Sequence, residues 1–268
     1  MTGRAKVNTY EATGGITTAK FAAHNLSLLK PIAPGAVVHD NAAGAGTVSR
    51  LILSKHQPDV TIHATDIDQP FLDVLADDAA ANSWPISVSN QRSEATSFPD
   101  AFFDLHVANI GVIFWSGGGV DGVKEAYRTL KPGGTAVINC WAEITWLVPI
   151  LMTHRKFRGD AAFKAPPINW EDGSQLRRVV LEAGFTEEKM RVERQDVEAT
   201  VKEEEFSMWC ERTWAFLGGI GGWQEEDGVR WREEVKFLEE RVREAQGTSV
   251  VGGEVRMQAG QWVVIVEK

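Results

Sequence analysis

The sequence predicts an α/β protein with a mostly parallel β-sheet. Short apolar segments recur along the chain, and stretches with helical periodicity lie between them. Strands that alternate with helices form parallel sheets, because each helix returns the chain across a face of the sheet. A turn rich in glycine and alanine follows the first strand, and an aspartate ends the second. A small-residue turn and an acid in these places are typical of sheets that bind a nucleotide-like cofactor.

The predicted elements begin with a helical segment over about residues 17–30. Strands are expected at about 36–40, 60–65, 86–90, 103–110, 134–141, 189–201 and 261–267. The chain is interpreted as a single domain over residues 1–268, with an N-terminal helical cap at 1–35 and a cofactor-binding core at 36–141. Helical inserts at 142–184 and 203–250 are expected to form a lid over the substrate.

The small-residue turn lies in the segment Val37-Val38-His39-Asp40-Asn41-Ala42-Ala43-Gly44-Ala45-Gly46-Thr47. Glycine and alanine let the backbone approach a ligand, and the helix that follows offers unpaired N–H groups to an anionic or carboxylate-bearing group. Asp66 ends the next apolar run, 20 residues after Gly46. At that spacing a second strand delivers a carboxylate to ribose hydroxyls. The alternatives are a strand-to-helix turn without a ligand and a solvated loop acid.

Two later segments complete an ordered series. Phe98-Pro99-Asp100-Ala101-Phe102-Phe103-Asp104 precedes an apolar run, and Glu125-Ala126-Tyr127-Arg128-Thr129-Leu130-Lys131-Pro132-Gly133-Gly134 precedes the next strand. With the acid-Gly-x-Gly turn, this series resembles the class I S-adenosylmethionine-dependent methyltransferases over about residues 36–141. The resemblance implies a Rossmann-like sheet with an antiparallel last strand, S-adenosyl-L-methionine as cofactor, and methyl transfer. The overall layout also resembles fungal small-molecule (secondary-metabolite) methyltransferases.

The resemblance also implies roles for single residues. Its first motif, an acid and three glycines, matches Asp40, Ala42, Gly44 and Gly46, with Ala42 in place of the usual glycine. Asp66 matches the acid that holds both ribose hydroxyls. The other residues that the resemblance assigns to the cofactor are Ile67 near the adenine, Gln91 or Ser93 in place of an acid that meets the adenine amino group, and Asn109 and Ile110 near the methionine half.

Ten tryptophans are present, and several fall beside the inserts and strand ends. Aromatic walls suit a flat or apolar substrate, so Trp115, Trp141 and Trp146 are expected in the substrate site. Trp209 and Trp214 are interpreted instead as the apolar stripe of an amphipathic helix. From the N-terminal segment, the Tyr10 hydroxyl and the Phe21 ring are expected to close over the cofactor and to belong to the substrate site.

Methyl transfer by in-line displacement depends chiefly on holding the reactants close and aligned. An oxygen nucleophile with a high pKa also needs a base, whereas a thiolate or a free amine does not. Histidine titrates near neutral pH, and the candidates are His24 and His154, with a surface or packing role as the alternative for each. His39 and His106 lie inside predicted strands and are expected in the core.

Composition limits the partners. The formal charge is −9, and no block of Lys and Arg appears, which argues against a nucleic-acid partner and favours a small-molecule substrate. Cys140 and Cys210 lack metal-ligand spacing, so no metal is expected. No apolar run reaches the length of a membrane span, and a cytoplasmic location is expected.

Two other functions share parts of this pattern. A nicotinamide-dependent oxidoreductase has the same kind of turn and ribose acid, but Ser49 occupies the place of its third glycine, and the Lys-Pro-Gly-Gly turn argues against it. A protein that binds S-adenosylmethionine without transferring a methyl group is the other alternative, because a fold does not fix a reaction.

Overall fold

An eight-stranded β-sheet runs through the part of the chain that the computed structural model describes, which is residues 3–56, 59–163, 169–220 and 222–268. The strands are β1 (Ala36–Asn41), β2 (Val60–Asp66), β3 (Ile86–Asn90), β4 (Phe103–Asn109), β5 (Leu130–Ile144), β6 (Met190–Lys202), β7 (Thr248–Val251) and β8 (Glu254–Glu267). The helices are α1 (Gly3–Glu11), α2 (Gly14–Ser27), α3 (Thr47–His56), α4 (Gln69–Asn82), α5 (Val120–Thr129), α6 (Leu147–Arg158), α7 (Ser174–Glu182), α8 (Phe206–Leu217) and α9 (Asp227–Glu244).

The strand order is β3-β2-β1-β4-β5-β8-β6, and β7 pairs with β8 beyond this path. The first five strands pair in parallel, whereas β8 lies antiparallel between β5 and β6. The predicted mostly parallel sheet with an antiparallel last strand is therefore confirmed. Two strands are much longer than predicted, and β7 was not predicted. Its four residues precede the Gly252-Gly253 turn, in which both glycines have a positive φ.

Local sequence explains where the helices begin and end. Pro70 lies in the first turn of α4, where a missing N–H costs no helical hydrogen bond, and Ser83 ends that helix with a left-handed φ of 53°. In α5 the apolar residues recur at helical spacing, so that Val120, Val123 and Ala126 are buried on one side. Such one-sided helices can only be stable when packed on a sheet face.

Helices cover both faces of the sheet. Residues of α2 and α3, among them Leu26 and Ile52, pack on Val38 and its neighbours, and α5 and α7 pack on the opposite face. The position of α7 corrects the sequence interpretation, because it lies inside the 142–184 segment that was expected to be a lid. Leu176 and Val180 are fully buried in the core, so that only the first part of this segment joins the helices above the site.

We use the name helical cap for α6, α8 and α9, which are distinct from the N-terminal cap predicted at residues 1–35. The helical cap packs on an extension of the sheet. The far ends of β6 and β8 continue past the carboxyl ends of the parallel strands, and Ala199 and Met257 from them are buried with Phe206 of α8 and Leu238 of α9. Phe21 of α2 belongs to the same apolar cluster. The cap is therefore joined both to the sheet extension and to the N-terminal helices.

Three histidines form a row across neighbouring parallel strands. His63, His39 and His106 are in register on β2, β1 and β4. His39 Nδ1 lies 3.1 Å from His106 Nδ1, and His39 Nε2 lies 2.9 Å from the hydroxyl of Thr65. His39 and His106 are buried, as expected. Burial lowers the pKa of all three rings, that of His106 to about 3, and so they are neutral at neutral pH.

The carboxyl ends of the parallel strands meet along one edge of the sheet. Asn41 pairs with Thr65 on one side and with Ala108 on the other, and Asn109 pairs with Asn139. In open α/β sheets, ligands bind in the crevice outside these ends. The candidate site is therefore sought at this edge, between the sheet and the cap.

Candidate cofactor and substrate site

The turn after β1 is held in a conformation that favours glycine. Ala42, Gly44 and Gly46 have φ values of 56°, 54° and 84°. A side chain at Gly46 would collide with Leu75 of α4, which explains why that position is a glycine. Ala42 adopts a left-handed backbone that costs an L-residue free energy. It thus keeps the conformation of the glycine that it replaces.

Asp40 lies beneath this turn. Its carboxylate accepts hydrogen bonds from the backbone N–H of Ser49 at 3.0 Å and from the Ser49 hydroxyl at 2.6 Å, and the side chain is buried. Burial raises the pKa of Asp40 to about 6, while both Ser49 hydrogen bonds act to lower it. These contacts give Asp40 the task of fixing the first turn of α3, in place of the direct cofactor contact that the sequence predicted. Ser49, noted above only as a missing glycine, is its partner.

Asp66 stands at the opposite side of the turn. Its Oδ2 accepts a hydrogen bond from the N–H of Gly44 at 2.8 Å, and its Oδ1 accepts one from the N–H of Asp68 at 2.9 Å. Burial raises the pKa of Asp66, and the hydrogen bonds from Asp68 and Gly44 oppose that shift. Each carboxylate oxygen keeps a second lone pair. The two backbone bonds thus fix the carboxylate while leaving it able to accept from two neighbouring hydroxyls.

The loop after β3 uses the side chains predicted near the adenine. Gln91 donates to the Ser89 hydroxyl at 2.9 Å and accepts from the N–H of Ser97 at 2.7 Å, so that its amide is engaged within the loop. Ser93 is buried and donates to Asn41 Oδ1 at 2.8 Å. Ser93 therefore supports the end of β1, and Gln91 supports the shape of its own loop.

Asn41 is a site residue that the sequence interpretation missed. Its Oδ1 accepts from Thr65 at 3.2 Å as well as from Ser93, and its buried Nδ2 has no hydrogen-bond partner among the described residues. Such a donor is expected to pair with a ligand or solvent. The available signal was the amide at the carboxyl end of an otherwise apolar strand.

Asn109 and Ile110 follow β4 and are fixed by a neighbour on β5. Asn139 donates to Asn109 Oδ1 at 3.0 Å and accepts from the N–H of Ile110 at 2.8 Å. Ile110 has a φ of 71°, which is strained for a β-branched residue, and it is buried. Asn139 in turn donates to Gln261 of β8. Neither Asn139 nor Gln261 was predicted as a site residue, because each lies inside an apolar strand.

The N-terminal helices close over this edge. Asn109 Nδ2 donates to the carbonyl of Thr18 at 3.0 Å, and the Tyr10 hydroxyl lies 3.1 Å from the Thr18 hydroxyl. The Tyr10 ring packs edge-on against Phe71, with ring centroids 5.7 Å apart. It packs at a tilt against Phe216 of α8, with ring centroids 5.4 Å apart. Burial raises the pKa of Tyr10. Tyr10 thus joins α1, α4 and the cap beside the turn after β1.

A line of aromatic rings connects the N-terminal helices to the cap. Phe21 contacts Trp141 with ring centroids 5.3 Å apart, Trp141 contacts Trp146 at 6.5 Å, and Trp146 contacts Trp209 at 5.7 Å. The structure therefore brings together three of the five predicted substrate residues. Trp115 is different: it is buried in the core on the α5 face, pressed against Gly122. Its position is that of a packing residue, which corrects its assignment to the substrate site.

The two candidate bases lie apart. His24 of α2 has its Nε2 3.8 Å from a carboxylate oxygen of Glu193. His154 is fully buried in the cap, with Nδ1 2.9 Å from Arg158 and Nε2 3.3 Å from the carbonyl of Leu217. Burial lowers the pKa of His154, and the charge of Arg158 lowers it further. Both ring nitrogens are engaged within the cap, so that His154 is placed as a packing residue.

Sequence comparison gives an independent result for the same edge. Residues 38–134 match the family model described as a methyltransferase domain. The matched segment, about a third of the chain, is therefore similar to a methyltransferase domain. The ubiquinone/menaquinone biosynthesis C-methyltransferase UbiE of Geotalea daltonii is 31% identical over 109 residues, which are 40% of this chain and 46% of that protein. The chain spans about half the length of the curated relatives that it matches.

Comparison with solved structures covers more of the chain than the segment 38–134 that the family model matches. A protein from Bacillus halodurans described as a candidate methyltransferase covers 93% of this chain, over 99% of its own, with a TM-score of 0.60 and 19% identity. Phosphoethanolamine N-methyltransferase 2 of Haemonchus contortus, in complex with phosphomonomethylethanolamine and S-adenosylhomocysteine, covers 97% of this chain, over 59% of its own, with a TM-score of 0.54 and 15% identity. At these identities the likeness establishes the fold, and the predicted class I methyltransferase fold is confirmed.

The Haemonchus contortus enzyme carries S-adenosylhomocysteine, which is what S-adenosylmethionine becomes when it gives up its methyl group. The residues at the edge fit S-adenosylmethionine. Asp66 offers two oriented acceptor oxygens, and a buried Asn41 donor and the buried Asp68 Oδ1 have no hydrogen-bond partner among the described residues. Ile67 leaves 63% of its surface exposed beside Asp66, as an apolar platform needs. The backbone around Gly44 has room for a ligand, since only Phe71 lies within 4 Å of a side chain built there.

Proposed function

We propose that the chain catalyses transfer of a methyl group from S-adenosylmethionine to an O, N or S nucleophile of a small aromatic or heterocyclic metabolite. The observation that carries this proposal is the Asp66 carboxylate bonded to the N–H of Gly44, within a segment that matches a methyltransferase domain. Together they support a site for a ribose beside a turn that admits the rest of the cofactor. When bound, the cofactor supplies a methyl group on a sulfonium, which is already reactive toward nucleophiles.

The chain's own contribution is binding and orientation. Asp66 accepts from the ribose hydroxyls, and Asn109 and Ile110, held by Asn139, line the place where the reacting groups meet. Tyr10 closes that place from the N-terminal side. Pre-organised geometry of this kind lowers the barrier by removing translational and rotational freedom before the reaction.

The site offers few groups that accept a proton. His154 is engaged within the cap, and Tyr10 is buried with a raised pKa. The Nε2 of His24, the other predicted base, forms no hydrogen bond with any described residue and lies 3.8 Å from Glu193. A free amine or a thiolate is therefore the nucleophile that fits this site best, because its methylation needs no general base from the protein.

The substrate class rests on charge and on the aromatic line. The formal charge of −9 disfavours polyanionic substrates, and Phe21, Trp141 and Trp146 form an apolar wall beside the carboxyl ends of β4 and β5. We include the resemblance to secondary-metabolite methyltransferases in this proposal. The family model matches only residues 38–134 and does not identify a substrate.

A cytoplasmic location is also proposed. Cys140 and Cys210 are both free and buried, as is usual in reducing compartments. No helix in the described ranges has both the length and the apolar character needed to cross a membrane.

Calorimetric titration of the purified chain tests the cofactor assignment. S-adenosylhomocysteine is titrated in one cell and NADH in a second. Micromolar affinity for S-adenosylhomocysteine with no heat from NADH is expected, because the turn and Asp66 are set in a methyltransferase domain. Methylation of a panel of planar amines, thiols and phenols then tests for the reaction. Binding of NADH alone would support the oxidoreductase, and cofactor binding without methylation of any class would support a non-methylating protein.

A further inference from the structure

We infer that Trp209 and Thr213 of α8 form a substrate subsite that recognises an acceptor oxygen, such as a ring carbonyl, on a flat and otherwise apolar molecule. The inference rests on the proposed function and adds to it a chemical feature of the substrate. The sequence analysis predicts neither residue in the substrate site. It interprets Trp209 as part of the apolar stripe of a helix.

The first observation is that both polar atoms are buried without a partner. Trp209 and Thr213 are 3% and 1% exposed, and neither the indole Nε1 nor the hydroxyl Oγ1 forms a hydrogen bond with any described residue. Leaving such groups unpaired is costly, and native proteins rarely do so without a reason.

Comparable residues elsewhere in the chain are paired. The indole N–H of Trp214, the residue directly after Thr213 on the same helix, donates to Glu234 at 2.8 Å. The N–H of Trp231 on α9 donates to Glu211 at 2.9 Å. A buried helical threonine usually bonds a carbonyl one turn earlier, as Thr153 does with Pro149 at 2.8 Å. Trp209 and Thr213 differ from these paired residues, and Thr145 is another described threonine whose buried hydroxyl has no partner.

The second observation is the face of α8 on which Trp209 and Thr213 lie. Trp209, Thr213 and Phe216 recur at intervals of four and three residues, so they share one face of α8. At its two ends this face touches aromatic residues of the candidate site: Trp209 packs on Trp146, and Phe216 packs on Tyr10. Thr213 lies between them along the helix. Trp209 and Thr213 therefore lie on the face of α8 that contacts aromatic residues of the candidate site.

The chemistry of the two groups selects the ligand. An indole N–H only donates, and a hydroxyl both donates and accepts. Their neighbours in the same cluster, such as Phe206 and Ile110, are apolar. An ionised ligand would not be stabilised among such side chains, whereas a neutral carbonyl or ether oxygen would be. A planar ring that bears a carbonyl satisfies both the donors and the aromatic wall.

Two probes with one carbon skeleton test the inference. 1-Tetralone carries a ring carbonyl, and tetralin lacks it. Each is titrated by calorimetry into the chain saturated with S-adenosylhomocysteine. At least a tenfold preference for 1-tetralone is expected, because a buried hydrogen bond is made only by the ketone. Trp209→Phe and Thr213→Val are each expected to reduce that preference about threefold or more, and the double variant to abolish it.

Matched controls separate recognition from packing. Thr153→Val and Trp231→Phe remove a hydroxyl and an indole N–H that are already paired, and they are expected to leave the probe preference unchanged. Thr213→Val is expected to raise the melting temperature by about 2 °C, because an unpaired buried hydroxyl is removed. A structural role for Thr213 would instead lower it.

Binding of both probes with equal affinity, or of neither, would overturn the inference while leaving the cofactor assignment intact. Failure of S-adenosylhomocysteine to bind would show that the proposed function itself is wrong. A preference that is identical in wild type and in both variants would place the carbonyl elsewhere and would equally overturn the role of α8.

Discussion

The sheet beneath the turn and the helical cap both bury titratable side chains, but of opposite kinds. Under the turn, His39 and His106 are held neutral, because burial lowers their pKa values. In the cap, Arg158 and Asp227 form a buried ion pair, with side chains only 2% and 6% exposed. The histidines under the turn are thus uncharged, whereas the cap is built around a charge pair.

The difference shows how each region obtains its order. The sheet is specified by strand register and apolar packing, and buried polar side chains on neighbouring strands, such as His39 and His106, lie within hydrogen-bond distance of each other. The cap joins α6 to α9 through Arg158 and Asp227, and Arg158 also donates to the carbonyl of Gly218 at 2.6 Å. Burial raises the pKa of the adjacent Glu234, and the charge of Asp227 raises it further. The cap therefore depends on one ionic contact in a way that the sheet does not.

Breaking that contact is expected to have the largest effect. Asp227→Asn leaves Arg158 buried without its counter-ion, and the free energy of unfolding is expected to fall by about 3–5 kcal/mol in urea titrations. The paired replacement Arg158→Met with Asp227→Leu is the control, because it removes both charges and should recover most of the loss. A loss below about 1 kcal/mol in the single variant would contradict a cap organised by this pair.

Acid is expected to weaken the sheet region next. His39 and His106 have folded-state pKa values below the unfolded value of 6.5, so they stabilise the fold above pH 6.5, and this is lost as the pH falls. Between pH 6.5 and 5.5 each costs about 1 kcal/mol. Asp40, with a raised pKa of about 6, offsets part of this because it gains a proton in the folded state.

A net loss of about 1.3 kcal/mol between those two pH values is therefore expected from urea unfolding. His106→Gln, which cannot be charged, should show a smaller loss than the wild type over the same interval. Equal losses in the two proteins would show that the histidine row does not control the acid response.

The smallest effect concerns the turn. Ala42 holds a φ of 56° that glycine adopts without strain. Ala42→Gly is expected to raise the free energy of unfolding by about 0.5–1 kcal/mol, since relief of the left-handed conformation exceeds the extra chain entropy of glycine. Thermal unfolding of the two proteins measures this difference. Destabilisation by the replacement would mean that the alanine methyl group makes a packing contact that outweighs its strain.

Much of the sheet was predictable, because register and turn chemistry act locally. The alternating strands, the turn with Gly44 and Gly46, and the acid Asp66 lie within a short stretch, and each carries a local signal. The cap was less predictable. Whether α7 packs in the core or above the site depends on which sheet face it reaches, and the pairing of Arg158 with Asp227 joins residues far apart in sequence.

The site residues divide for the same reason. Asp66 could be predicted from spacing, but the task of Asp40 depends on which way its side chain turns beneath Ser49. Asn139 and Asn41 were missed because a single amide in an apolar strand carries no motif. Trp115 was misplaced because its nearness to a strand end in sequence did not reveal its contact with Gly122.

The central claim is that Asp66 holds the cofactor of a methyltransferase domain. The direct measurement is the dissociation constant of S-adenosylhomocysteine for wild type, Asp66→Ala and Asp77→Ala, the last removing an exposed carboxylate on α4. Loss of two charged hydrogen bonds is expected to weaken binding to Asp66→Ala by about 1.5–3 kcal/mol, with Asp77→Ala unchanged. Unaltered affinity in a folded Asp66→Ala protein would contradict the account.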